Sequence, residues 1–77
     1  MSYVIATWKN GKPQGIKPCM ETNSFQLIDL DSTSALGRIY SHPHRAGAQQ
    51  ILNWINKNDE YLSGQELSIC AEARFRK

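Results

Sequence analysis

The stretch "SYVIATWKNGK" (residues 2–12) constrains the fold more tightly than any other part of the chain. It is rich in β-branched and aromatic residues. Strand alternation puts Tyr3, Ile5 and Thr7 on one face and Val4, Ala6 and Trp8 on the other. Asn10-Gly11 follows. A two-residue type I′ turn needs positive φ at both central positions, which Asn and Gly tolerate best, so the pair predicts an antiparallel hairpin. The return segment, "PQGIKPCME", is interrupted by Pro13, Gly15 and Pro18 and reads as an irregular edge strand.

Alternation resumes in "NSFQLIDLD". Phe25 and Leu27 share one face with Asp29, and Ile28 shares the other with Leu30. "DSTSALG" is turn chemistry, and "RIYS" reads as a further short strand. In "SHPHRAGAQQILNWI" the chain turns helical. Ser41 or His42 would cap, Pro43 would open the first turn, and His44 would begin an apolar face continued by Ala48, Ile51, Leu52, Trp54 and Ile55. "NKND" ends the helix. In "ELSICAEARFR", Leu67, Ile69, Ala71, Ala73 and Phe75 alternate with Ser68, Cys70, Glu72, Arg74 and Arg76, the pattern of a strand with one apolar and one wet face. The fold class expected is α+β. A small antiparallel sheet of three to five strands carries one helix on one face, in the order β-β-β-(β)-α-β. Trp54, Ile51 and Ile55 would meet Leu67, Ile69 and Phe75, and the opposite face or an edge would stay open.

The 77 residues make a single domain, 1–77. A chain of this size buries only ~60–65% of its unfolded surface, which leaves little room for a deep substrate cleft. Function is therefore expected on the surface. No apolar run approaches the ~18 residues that cross a bilayer, and the N-terminus lacks the basic segment of a signal peptide. A cytoplasmic protein with no membrane partner is expected. Two cysteines, Cys19 and Cys70, are too sparse for a disulfide scaffold and read as reduced thiols.

Catalytic and metal chemistry find little support. His42 and His44 form an H-x-H pair that Cys19, Asp29 or Asp31 could complete, but structural zinc sites show paired Cys or Cys/His at close spacing. A helix start accounts for both histidines. Free N–H groups at that start, with His42, His44 and Arg45 beside them, would also attract an anion, yet no Gly-rich phosphate loop accompanies them. Cys70 with His44 lacks an orienting third group, and Asp29 with Asp31 is better explained as turn initiation. No enzyme activity, metal or cofactor is implied.

Two binding readings remain. Net charge is +2, with nine Lys and Arg partly gathered at the first hairpin and the C-terminus. Lys9, Lys12, Lys17, Arg74 and Arg76, with Lys77 and stacking from Trp8 or Tyr3, outline a nucleic-acid-binding surface, although Glu66 and Glu72 interrupt it. The alternative is a protein partner. Trp8, Tyr40 and Arg74, with Tyr3 and Tyr61, are the residue types that dominate interface hot spots. The sequence carries no signature of an oligomeric state.

The layout Tyr3–Ile5, Asn10–Gly11, Ile39–Ser41, Ala46 and Leu52 resembles very small accessory proteins encoded by bacteriophages and prophages, among them anti-CRISPR proteins and other host-defence inhibitors. The resemblance implies a non-enzymatic inhibitor that occludes the surface of a host protein or complex inside a bacterial cell.

Overall fold

Asn10 and Gly11 have φ of 52° and 78°, so the two-residue turn forms where the sequence places it. A computed structural model describes residues 2–30 and 37–75. On either side of the turn, β1 (Tyr3–Lys9) and β2 (Lys12–Cys19) pair antiparallel from Lys9↔Lys12 to Ala6↔Gly15. β2 is not an irregular edge. β3 (Ser24–Asp29) pairs along its other side from Cys19↔Ser24 to Gln14↔Asp29, which makes β2 an inner strand.

Its prolines fit because of where their nitrogens point. The N–H of Leu30 donates to the Pro13 carbonyl at 3.0 Å, so Pro13 faces β3, one step past the last register pair. By alternation Pro18 faces the β1 side, beyond Ala6↔Gly15, where β1 no longer runs alongside. Pro18 removes no ladder bond, and Pro13 forgoes only the reciprocal bond to Leu30 at the end of the β2–β3 ladder. Gly15 gives close packing instead. A Cβ there would lie 3.0–3.3 Å from the side chains of Ile39 and Leu30.

Where β2 leaves β1, a two-residue β4 (Ser41–His42) takes its place through Tyr3↔His42 and Val4↔Ser41. The Tyr40 N–H donates to the Ile16 carbonyl at 2.8 Å and ties this segment to β2. The strand expected at Arg38–Ser41 is thus shorter and shifted. Pairing of His42 also moves the helix start. α1 (Arg45–Asn58) has His44 as its N-cap, in extended conformation, and Pro43 lies outside. The His44 N–H donates to Nδ1 of His42 at 3.0 Å, so the His42 ring covers the N-terminus. At the other end Asp59 closes α1, its N–H bonded to the Ile55 carbonyl at 2.9 Å. The Asp59 side chain then caps a one-turn helix, α2 (Glu60–Ser63), by accepting the Leu62 N–H at 2.9 Å.

β5 (Ser68–Ala71) pairs with the remaining edge of β1, from Ala6↔Ser68 to Tyr3↔Ala71. The strand expected through Arg76 ends early because β1 begins at Tyr3. After a last bond from the Glu72 N–H to the Ser2 carbonyl, the chain coils into a 3-10 turn over Glu72–Phe75.

The result is the expected α+β fold, a five-stranded antiparallel sheet with one main helix across it. The far face is partly covered by a core of its own. On the helix side Ile5, Ile16, Ile55 and Leu62 form a buried core flanked by Phe25, Leu27, Tyr40, Ile51, Leu52, Leu67 and Ile69. On the other side Val4, Leu30, Ile39 and Cys70 form a second core, flanked by Ile28 and Phe75. Two expectations change accordingly. Cys70 is buried rather than on a wet face, and Phe75 packs away from the helix. Trp54, at the margin of the α1 apolar face, remains 40% exposed. No described helix is long and apolar enough to cross a membrane.

Candidate interaction surface

The 3-10 turn brings together residues that lie far apart in the chain. Trp8 is near the end of β1, on the face opposite the helix. Phe75 folds back against it, with ring centroids 5.8 Å apart and planes tilted by 36°. The Arg74 guanidinium sits 5.0 Å from the centroid of the Trp8 ring, within cation–π range. Arg74 also reaches the Cys70 sulfur at 4.0 Å, a long contact that orients more than it binds. Trp8 keeps 39% of its surface exposed. An indole supported from below by Phe75 and flanked by a cation is a rigid, amphipathic contact surface.

A second cation–aromatic pair stands at the same end of the sheet, on the helix side. Lys9 Nζ lies 5.9 Å from the Tyr61 ring centroid, and Tyr61, on α2, is 63% exposed. Lys12 is the register partner of Lys9 and shares its face. Lys17 faces the other way, further along β2. Arg76, Lys77 and Asp31 lie outside the described residues.

Tyr40 is not part of this cluster. It is half-buried on the helix side, edge-on to Phe25 at 6.1 Å, and burial pushes its phenol above the usual tyrosine range. Of the three anchors read from the sequence, the fold joins Trp8 and Arg74 and separates Tyr40. Tyr61 was legible as an interface residue type, but its pairing with Lys9 and the support that Phe75 gives Trp8 were not, because each depends on a short helical turn that has no periodic signal. Also unread was a groove of about 250 Å³ between the β2–β3 turn and α1, lined by Asn23, Ser24, Phe25, Ile51 and Trp54.

The other candidate residues stay dispersed. His42 and His44 are 5.9 Å apart between ring centroids, and among the described residues no three His, Cys, Asp or Glu side chains gather as a metal set. Cys19 and Cys70 are unbridged. Hydrogen bonds from the Thr22 hydroxyl and N–H hold the Cys19 thiol below its ordinary value, whereas the polar neighbours of the Cys70 sulfur are Ser68 and Arg74. Asp29 accepts a bond from Gln14 Nε2 at 2.8 Å, and Gln14 Oε1 is buried without a partner among the described residues.

Comparison with protein-family models, with curated proteins and with solved structures finds no match to this chain.

Proposed function

We propose that the protein is a non-enzymatic binding module that occludes a surface of a protein partner. The small phage-type inhibitors that its sequence resembles act in this way. The observation that supports this reading is the contact of Arg74 with the half-exposed Trp8 ring, backed by Phe75. Trp and Arg are the commonest interface anchors, and an anchor held in place before binding loses less conformational entropy on association. Host location and the inhibitory outcome rest on the sequence resemblance alone.

A nucleic-acid partner is the second reading. It is favoured by Lys9 beside the exposed Tyr61, with Lys12 on the same face. Phosphate-driven binding falls steeply with salt, because each neutralised phosphate releases counterions. An anisotropy titration with single- and double-stranded probes at two salt concentrations separates the two. Protein binding through Trp8 and Arg74 predicts no salt-sensitive binding near physiological ionic strength. Low-micromolar, salt-sensitive binding would replace it with the second reading.

A further inference from the structure

We infer that the outer edge of β3 is a self-pairing edge, through which two copies of this chain form a symmetric antiparallel dimer. Among the described residues β3 has one neighbour, β2. The bond from the Leu30 N–H to the Pro13 carbonyl fixes the direction of every backbone group in the strand. Gln26 and Ile28, like Ser24 and Leu30, turn toward β2, so Phe25, Leu27 and Asp29 turn outward. No described residue is bonded to the backbone N–H or C=O of these three.

The three outward residues are symmetric about Leu27. A two-fold axis beside Leu27, midway between the paired edges and perpendicular to the sheet, sets Leu27 against Leu27 of the second copy. The same axis sets Phe25 against Asp29, and Asp29 against Phe25. Each face of one sheet then continues into the same face of the other. All three residues exchange both backbone bonds, and no outward group in this span is left over.

Charge agrees with this register. Asp29 is the one ionisable residue of β3. Its counterpart in the second copy lies four strand steps away, ~13 Å along the edge. That exceeds the ~8 Å screening length of physiological salt. Apart from Asp29 at its end, the strand carries none of the usual protections of an edge. It has no Pro, no Lys and no inward charge across Phe25–Ile28. The β5 edge is shorter and is flanked by Glu66 and Glu72. Pairing along one six-residue strand covers less area than the ~1,200 Å² of stable complexes. The dimer is therefore weak and concentration-dependent.

The test combines sedimentation equilibrium with residue-resolved amide exchange, from about 10 µM to about 1 mM chain. The mean mass should rise toward the dimer. Exchange at Phe25, Leu27 and Asp29 should slow as it rises, while Gln26 and Ile28 stay protected throughout. N-methylation of the Leu27 amide by chemical synthesis blocks the edge without touching the β2 ladder. It should weaken association about tenfold or more and leave the melting temperature of the dilute chain unchanged. Three results would overturn the inference: a monomer at the highest concentration, a dimer in which those three amides still exchange freely, or an N-methyl chain that associates like the parent. Protection of the edge by an added extended peptide, with the chain itself monomeric, would overturn it in favour of a foreign strand.

Discussion

The guanidinium of Arg74 rests 5.0 Å from the Trp8 ring, although 66 positions separate the two residues in the chain. The contact exists because β1 starts at Tyr3. β5 runs out of partner there, and the chain must coil back across the sheet. A longer first strand would have carried Arg74 and Phe75 along the sheet instead.

Phe75 is the support of that surface. It is half-buried against Trp8 and the second core, so Phe75→Ala should destabilise by about 1–3 kcal/mol, less than the ~3–5 kcal/mol of a fully buried ring. Urea unfolding measures the loss. A change under about 0.5 kcal/mol, the ordinary range of a surface substitution, would show that the ring supports nothing.

Gly47 reverses the usual helix rule. Alanine is ordinarily better than glycine inside a helix by about 1 kcal/mol. Here a Cβ at position 47 would collide with the His42 ring, which also accepts the His44 N–H. Gly47→Ala should therefore be neutral or destabilising by about 1 kcal/mol. In a His42→Ala background the same change should stabilise by up to about 1 kcal/mol. Equal effects in both backgrounds, read from thermal melts, would show that His42 does not sit over the helix start.

Asp59 makes stability depend on acid pH. Its carboxylate accepts the Ser24 hydroxyl and the Leu62 N–H, and these bonds hold its pKa below the ordinary value. A depressed folded-state pKa stabilises fully above the unfolded carboxyl value of about 3.9 and is lost as pH falls through the folded one. Asp59→Asn keeps a capping oxygen but removes the titration. The variant should lose less stability than the parent between pH 5 and the acid limit of folding, roughly the window in which carboxylates protonate. Parallel curves would remove Asp59 from the acid response.

Much of the architecture was legible because its causes are local. Asn10-Gly11 announced the hairpin, alternation gave β1 and β3, and the spacing of Ala48, Ile51, Leu52 and Ile55 gave α1. What escaped was set by neighbours. Pro13 and Pro18 argued against an inner strand, and only the positions where β1 and β3 stop make them harmless. Pairing of His42 with Tyr3 moved the helix start to His44. Alternation through "SICAEARF" assigned Cys70 to water and Phe75 to the helix side, but the second core and the 3-10 turn reverse both. Of the interaction surface, residue type alone pointed to Trp8 and Arg74. Their adjacency, and the separation of Tyr40, come from the tertiary fold.

The most direct test of binding through Trp8 and Arg74 is quantitative capture from bacterial lysate with the parent chain, Trp8→Ala, Arg74→Ala and a Met20→Ala control. Met20 is 93% exposed and makes none of these contacts. The parent and the control should retain the same protein equally. Each anchor variant, shown to be folded by its thermal melt, should bind that protein about 30-fold more weakly or worse, the cost of a ~2 kcal/mol hot spot. Undiminished retention of that protein by folded Trp8→Ala and Arg74→Ala would contradict the proposed surface.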